Sequence, residues 1–359
     1  MRKHLKLIPF AVLLMILLSG CTGSDANSQQ IPPSTTTVTK ITVSPVTVTD
    51  NRESIIFGNQ SWPAQINATN STYNKTVPDY VFEPNKTLFI FFINSSNLPT
   101  AYANYTNERQ GEAILLKKGD ADILIDSGVL EKSTYLVNFL RGKGVDDIEL
   151  YISTHARPEN YGGLSTILDN IEIEQFMWNG DTGGDAEYAA LVEKAISKSR
   201  KTINSSYLMQ IEINGINLEV LNPRDGGNRF SNINNDGIVL KITDRNFSLL
   251  TTGDIEYSAQ TRLAESSDFN ISSTVLQIPN YGLGQGTSRI DFFLRKVSPQ
   301  AAIITGTYFD PGNEKYSIIQ KLNTSRIPYY STYNVSRKNL STFVLRITTD
   351  SYNYSILRN

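Results

Sequence analysis

Short apolar runs separated by polar turns begin near residue 86 and continue to the end of the sequence. Runs of strand length occur at residues 88–93, 113–116, 122–126, 148–152, 173–178, 216–221, 237–243, 247–251, 274–278, 301–305, 343–347 and 352–357. Apolar residues at helical spacing predict helices at residues 133–142, from 164 onward, and at 186–201, 255–265, 288–297 and 314–323. Ser133 is expected to cap the first of these helices, with Gly142 and Gly144 ending it. Strand hairpins mixed with strand–helix units predict a layered α/β domain with mixed sheets over residues 86–359.

The first 21 residues have the pattern of a lipoprotein signal peptide. Three basic residues precede an apolar run at residues 7–18, which is too short to span a bilayer core that needs about 20 apolar residues. A Leu-Ser-Gly-Cys lipobox follows at residues 18–21. We therefore expect residues 1–20 to be a cleaved leader, Cys21 to carry the lipid, and the chain to lie on the outer face of the cell membrane. The alternative is an ordinary signal peptide in which Cys21 is incidental.

The segment after the lipobox has the composition of a linker. Residues 21–55 are rich in Thr, Ser and Pro and poor in apolar residues, which favours a solvated tether. The alternation of valines within residues 38–48 would also allow an extended strand, and that alternative stays open.

Glycosylation sequons are more frequent in this sequence than its composition predicts. Asn-x-Ser/Thr occurs at Asn59, Asn67, Asn70, Asn74, Asn85, Asn94, Asn104, Asn204, Asn246, Asn270, Asn323, Asn334, Asn339 and Asn353. The first seven indicate a glycosylated, exposed region that includes a separate N-terminal segment at residues 56–85. Sequons combined with a bacterial-type lipobox suggest an archaeal cell surface. The alternative is an Asn-rich composition without glycosylation.

The composition excludes several classes of protein. A single Cys excludes a disulfide framework and any Cys-based zinc site. The two His residues, one of them at position 4, leave almost nothing for a multi-histidine metal centre. With 33 basic residues against 35 acidic ones and no basic run, the chain has no electrostatic footprint for nucleic acid, so no nucleic-acid partner is expected.

Six sequence blocks, in order and at consistent spacing, carry a resemblance to a known family. They are QGEAILL at 110–116, ILIDSG at 123–128, ISTHARPENYGG at 152–163, NNDGIVLK at 234–241, LLTTGDIE at 249–256 and VLQIPNYG at 275–282. Together they resemble the metallo-β-lactamase-fold domain at the C-terminus of the competence protein ComEC and its stand-alone relatives. The resemblance covers about residues 86–359, and it implies an αββα sandwich with a metal site where the two sheets meet.

The first metal motif of that family is altered in this sequence. The family's Thr-His-x-His-x-Asp-His-x-Gly-Gly reads Thr-His-Ala-Arg-Pro-Glu-Asn-Tyr-Gly-Gly at residues 154–163. His155 is retained, whereas Arg157, Glu159 and Asn160 stand where the resemblance implies His, Asp and His.

The later motifs are partly retained. Asn280 and Tyr281 replace the histidines of a His-His-Gly motif, while Asp254 keeps the position of the metal-bridging Asp in Thr-Gly-Asp. Asp126, in the Ile-Asp-Ser-Gly turn, is also retained, and we interpret it as structural.

These replacements remove most of a two-zinc site, which uses about five or six mostly imidazole ligands. Arg cannot coordinate a metal, and an Asn carbonyl is a weak zinc ligand. We therefore expect no cofactor, with one zinc or manganese ion on His155, Glu159 and Asp254 as the alternative. Since loss of the metals would leave Asp254 uncompensated, Arg157 is expected to pair with it. The alternatives are that Arg157 points into solvent and that His155 caps backbone carbonyls.

Three functions compete on this basis. The first is a non-catalytic lipoprotein that uses the degenerate fold to bind an envelope glycan, peptide or protein. The second is a phosphodiesterase-like or nuclease-like hydrolase of the metallo-β-lactamase superfamily with one residual metal. The third is a structural, glycosylated surface protein. The low His content favours the first function over the second, because a metal-dependent hydrolase needs imidazole ligands that this sequence lacks. The family fold alone does not fix the function.

Overall fold

Two eight-stranded β-sheets form the framework of the protein. The computed structural model describes residues 40–42, 86–96, 110–224, 230–283, 289–305, 314–332, 344–349 and 354–358. These residues belong to one compact unit at residues 38–359. The predicted leader, Cys21, the predicted segment 56–85 and the sequons Asn59, Asn67, Asn70, Asn74, Asn85 and Asn104 lie outside the described residues.

The strands alternate with turns and helices much as the apolar runs predict. In chain order they are β1 Lys40–Thr42, β2 Leu88–Asn94, β3 Glu112–Lys118, β4 Ala121–Ile125, β5 Asp147–Ile148, β6 Leu150–Ser153, β7 Glu172–Ile173, β8 Gln175–Trp178, β9 Lys201–Asn204, β10 Gln210–Ile213, β11 Ile216–Asn222, β12 Val239–Asp244, β13 Phe247–Thr251, β14 Val275–Gln277, β15 Ala301–Ile304, β16 Tyr329–Ser331, β17 Val344–Thr349 and β18 Tyr354–Arg358.

One sheet has the order β18-β17-β2-β3-β4-β6-β8-β9, and the other has the order β1-β10-β11-β12-β13-β14-β15-β16. Each sheet has an antiparallel half and a parallel half. The parallel strands are β4, β6, β8 and β9 in the first sheet and β13 to β16 in the second, where β1 also pairs in parallel with β10. The C-terminal pair β17 and β18 forms the predicted hairpin.

The helices lie on the outer faces of the sheets. They are α1 Ser133–Gly142, α2 Pro158–Tyr161, α3 Leu164–Leu168, α4 Ala186–Lys198, α5 Tyr257–Glu265, α6 Arg289–Val297 and α7 Glu314–Thr324. Within the described ranges, no helix combines the length and the apolar character that a membrane span requires.

Three apolar cores define four layers. The first lies between the sheets, where residues such as Ile114 and Ile152 pack with Leu240 and Leu249 of the opposite sheet. The second packs α1, α3 and α4 on the first sheet, and the third packs α5, α6 and α7 on the second. The protein is therefore an αββα sandwich, which confirms the fold class that the sequence predicts.

Several local predictions differ from the structure. Ser133 does not cap α1 with its side chain: a 3-10 turn at Leu130–Lys132 runs directly into the helix, and the backbone N–H of Ser133 donates to Leu130. The runs at 148–152 and 173–178 each split in two, because β5 and β7 pair with each other in a separate small sheet. The helix predicted to reach residue 201 ends at Lys198, after which the chain returns as an edge strand.

A short strand lies inside the predicted tether. β1 pairs in parallel with β10, the edge strand of the second sheet, with Lys40 opposite Gln210. At these three residues the extended alternative is therefore the one observed. The edge of a sheet exposes unpaired backbone groups, and β1 covers them over its own length.

One predicted glycosylation site does not agree with the structure. Asn94 ends β2 and is only 8% exposed, and its side-chain oxygen accepts the backbone N–H of Ser96 at 3.0 Å. Asn94 is therefore buried in the structure and not exposed as expected, and its glycosylation stays a prediction.

Candidate functional site

Polar residues of both sheets meet where four parallel strands end. Asp126 follows β4, His155 follows β6, Asp254 follows β13, and Asn280 follows β14. The imidazole Nε2 of His155 lies 3.4 Å from Asp254 Oδ2, so the ends of the two sheets are in contact here. The topology thus brings together residues that lie far apart in the sequence.

Asp126 joins three elements through its carboxylate. Its backbone has a left-handed φ of 58°, and its N–H donates to the carbonyl of Ile152 at 2.8 Å. Its Oδ1 accepts the N–H of Thr154 at 2.8 Å, while Oδ2 accepts the Thr154 hydroxyl at 2.6 Å and Asn160 Nδ2 at 3.0 Å. Asp126 therefore ties the end of β4 to the end of β6 and to α2.

Thr154 extends this connection to His155. The Thr154 hydroxyl lies 2.8 Å from His155 Nδ1 as well as 2.6 Å from Asp126. Since a hydroxyl has one proton and donates it to the carboxylate, Nδ1 is the donor to Thr154. The opposite nitrogen, Nε2, has no hydrogen-bond partner in the described part of the chain but faces Asp254. A row of four polar side chains therefore crosses from one sheet to the other.

The glycine pair of the altered motif allows α2 to approach the Asp126 turn. A Cβ on Gly162 would lie 2.5 Å from the backbone N of Leu130, and a Cβ on Gly163 would lie 2.4 Å from the carbonyl O of Ser127. Real side chains do not tolerate such distances. The glycines therefore let α2 place Asn160 against Asp126.

Arg157 does not form the predicted pair with Asp254. Its Nε donates to Asn234 Oδ1 at 2.9 Å, and Asn234 Nδ2 donates to Glu256 Oε1 at 3.0 Å. Among the described residues, the basic group beside Asp254 is His155. The prediction is wrong because Asn234 holds the guanidinium toward a neighbouring loop.

The turn after β14 is strained and incompletely hydrogen-bonded. Asn280 and Tyr281 have left-handed φ values of 49° and 52°. A left-handed conformation costs a bulky residue such as Tyr about 1–2 kcal/mol. Both side chains are buried, and within the described ranges Asn280 Oδ1 and Tyr281 Oη have no hydrogen-bond partner. Strain of this kind is concentrated at functional sites, so the strained turn supports a functional role for this end of the sandwich.

A second polar connection between the sheets was missed from the sequence. Gln277 Nε2, at the end of β14, donates to Glu112 Oε1, at the start of β3. Gln277 Oε1 accepts the N–H of Thr252 at 2.9 Å, in the turn that carries Asp254. In the sequence, Gln277 is a polar residue at the end of an apolar strand, and this pattern does not identify its partner.

The Asn-rich loop before β12 also has a role that the sequence did not reveal. Asn235 Oδ1 accepts the N–H groups of Glu256 at 2.9 Å and Ala259 at 3.2 Å. Helix α5 has no side-chain cap of its own, so Asn235 satisfies its first backbone donors from a distant loop.

The site is electrostatically dominated by buried carboxyl groups. Burial raises the pKa of Glu112 to about 8 and the pKa of Asp126 to about 6. Burial also raises the pKa of Glu159, and the nearby charge of Asp254 raises it further. Burial alone would lower the pKa of His155, but the carboxylates around it raise this pKa above its ordinary value. The surrounding carboxylates therefore favour the protonated form of the imidazole.

The donor set does not fit a metal ion. Zinc sites need at least three protein ligands, and His155 offers the one imidazole here. In the described residues, no group of three or more His, Cys, Asp or Glu side chains is arranged to hold an ion. The combination of His155, Glu159 and Asp254 is thus not supported by the geometry, and Arg157 adds a positive charge to the same motif.

No protein-family model and no curated protein sequence matches this chain. Among solved structures, it is similar to the metallo-β-lactamase-fold protein YhfI from Bacillus subtilis, with a TM-score of 0.45, 10% identity, and coverage of 72% of this chain and 99% of YhfI. It is also similar to a diphosphatase of the PhnP family, with a TM-score of 0.38, 10% identity, and coverage of 60% and 85%. A third is zinc-bound PqqB from Methylobacterium extorquens, with a TM-score of 0.37, 10% identity, and coverage of 53% and 72%. These are distant likenesses of fold, and the αββα architecture itself rests on the layers and cores described above.

Proposed function

We propose that this protein is lipid-anchored on the outer face of the cell membrane and binds an envelope glycan, peptide or protein at the strand-end site, without metal-dependent hydrolysis. One observation carries the proposal. The retained and substituted motif residues are engaged with each other: Asp126 contacts Thr154 and Asn160 at the end of the first sheet, and His155 faces Asp254 of the second sheet. This network supports a binding role, because among the described residues no group of three or more His, Cys, Asp or Glu side chains is arranged to hold an ion.

The rim of the site offers features that suit a binding partner. Among the described residues, the exposed large hydrophobic side chains are Leu130, Ile196 and Tyr257. Leu130 lies four residues after Asp126, and Tyr257 begins α5 three residues after Asp254, so two of the three are close in sequence to residues of the site. Arg157 is anchored through Nε, and within the described residues its terminal nitrogens have no hydrogen-bond partner, so they can donate to an acceptor on the binding partner. Arg and Tyr are enriched among the residues that contribute most to binding at protein interfaces.

The membrane location rests on the sequence. A diacylated Cys21 would attach the chain to the membrane, and residues 22–39 would separate the first described strand from the lipid. Substitution of Cys21→Ser should move the protein from the membrane fraction to the soluble fraction of cells. Retention in the membrane fraction would contradict lipid anchoring at this residue.

Metal content tests the absence of metal-dependent hydrolysis. The Cys21→Ser protein would be exposed to excess zinc and manganese, desalted and analysed by elemental mass spectrometry. We expect far less than one ion per chain and no phosphodiester hydrolysis. Near-stoichiometric metal that is lost in Asp254→Ala, together with hydrolysis, would instead establish the one-metal hydrolase.

Binding can be tested with a matched pair of surface variants. Leu130→Ser with Tyr257→Ser should reduce retention of envelope glycans, peptides or proteins on the immobilised chain. Ile196→Ser removes an equally exposed hydrophobic side chain on α4 and should leave retention unchanged. If no envelope fraction binds the wild-type chain, the proposal fails in favour of a structural spacer.

A further inference from the structure

Two sequons in the described chain share the same local turn but differ in exposure. In Asn94-Ser-Ser96 and in Asn270-Ile-Ser272, the Asn Oδ1 accepts the backbone N–H two residues on, at 3.0 Å and 2.9 Å. This turn uses the side-chain oxygen and leaves the amide nitrogen, the atom to which a glycan is attached, outside that hydrogen bond. A comparison of the two sites therefore shows how exposure affects glycosylation when the local turn is the same.

The sequon at Asn94 is enclosed. Asn94 and Ser96 are each only 8% exposed. The hydroxyl of Ser96 accepts the N–H of Gly111 at 2.9 Å and lies 3.2 Å from its carbonyl oxygen. The hydroxyl that a sequon must present to the glycosylating enzyme is thus already bound within the protein.

The sequon at Asn270 is open. Asn270 and Ser272 are both exposed, and residues 266–274 form neither helix nor strand. The carbonyl of Asn270 accepts Lys241 Nζ at 2.6 Å, which holds the loop against β12. Of the other exposed sequons of the described residues, Asn204 ends β9, Asn246 lies in the tight turn between β12 and β13, and Asn323 lies in α7.

We propose that Asn270 is an N-glycosylation site of the folded domain. The inference rests on the proposed extracytoplasmic location, which brings the chain to a glycosylating enzyme. A lipid-linked oligosaccharide is the donor: a bond forms between Asn270 Nδ2 and the anomeric carbon of the first sugar. The bond from that carbon to the lipid phosphate breaks, and the lipid phosphate leaves with the proton of the amide.

The position of Asn270 would keep the binding site free. Asn270 precedes β14, whereas Asn280 follows it, so the two residues lie at opposite ends of the strand. A glycan on Asn270 would cover the end of the sandwich away from Asp126 and Asp254. The modification therefore shields one end and leaves the strand-end site open to a partner.

The test uses the full Cys21→Ser chain made without glycosylation. The folded chain would be treated with a lipid-linked oligosaccharide and a single-subunit oligosaccharyltransferase that accepts Asn-x-Ser/Thr, and occupancy measured by glycopeptide mass spectrometry. We expect several times more glycan on Asn270 than on Asn94, and loss of the Asn270 glycan in Ser272→Ala. In urea, at a concentration that unfolds the chain but that the enzyme tolerates, the glycan occupancy of Asn94 should approach that of Asn270.

Two outcomes would overturn the inference: an unmodified Asn270 in the folded chain, or equal occupancy of Asn94 and Asn270 before unfolding. Failure of the proposed location has a different signature. In that case the chain isolated from its own cells would carry no glycan on any sequon, while Asn270 would still be modified in the purified system.

Discussion

Removing the Asp126 carboxylate should strongly destabilise the domain. Asp126→Ala leaves three buried donors without their acceptor: the N–H and hydroxyl of Thr154 and the amide of Asn160. Each unsatisfied buried donor costs about 1–3 kcal/mol. The left-handed φ of 58° adds about 1 kcal/mol for Ala. We expect a loss of about 4–10 kcal/mol, which is comparable with the roughly 5–15 kcal/mol available to a folded domain.

The assay is urea unfolding followed by circular dichroism, with the free energy of unfolding extrapolated to water. Asp126→Asn tolerates the left-handed backbone and keeps an acceptor for the Thr154 N–H, so we expect it to lose only about 1–3 kcal/mol and to remain measurable if the Ala variant does not fold. Asp169→Asn is the control, because Asp169 is an exposed carboxylate whose partners are Lys194 and Lys198. A loss below about 1 kcal/mol in Asp126→Ala would refute the reasoning, since it would mean that the three donors are satisfied elsewhere.

Three further substitutions test other parts of the structure. Folding raises the pKa of Glu112 from 4.5 to about 8, so stability that is present below pH 4.5 should be lost as the pH rises toward 8, by about 4–5 kcal/mol. In urea titrations from about pH 5 to 9, Glu112→Gln should flatten the dependence of the unfolding free energy on pH. An unchanged slope in this variant would contradict the assignment. Asn235→Ala should cost about 1–2 kcal/mol in the same assay through loss of the cap on α5, whereas the exposed Asn217→Ala should cost little, and equal effects would argue against a capping role. Gly163→Ala, whose Cβ would meet a backbone oxygen at 2.4 Å, should lower the melting temperature, while Gly142→Ala in open space should not; a tolerated Gly163→Ala would show that α2 can move away.

The fold could be predicted because it depends on patterns that are local in sequence. Apolar runs of strand length, such as 247–251, became β13 at Phe247–Thr251, and the helical spacing at 314–323 became α7 at Glu314–Thr324. Strand and helix periodicities reflect which face of an element is buried, so they are visible without knowledge of the neighbours. The first turn of α1 was misjudged because a 3-10 turn, and not the side chain of Ser133, precedes it.

The partners within the site could be predicted only in part. The sequence identifies Asp126, His155 and Asp254 as candidates, and the structure places them at one end of the sandwich. The sequence does not show that Asn234 would hold Arg157 away from Asp254, because the contact between Arg157 and Asn234 joins residues 77 positions apart. Nor does it reveal that Gln277 would reach Glu112 in the other sheet.

The sequence by itself therefore determined the layered α/β class and the shortage of imidazole ligands, since periodicity and residue type are properties of the chain alone. Only the tertiary structure decided which charges face each other, which sequon is covered and which amide caps a helix. Those outcomes depend on distances of a few ångströms between segments that are remote in sequence. At that scale, hydrogen bonding and desolvation decide whether His155 or Arg157 lies beside Asp254.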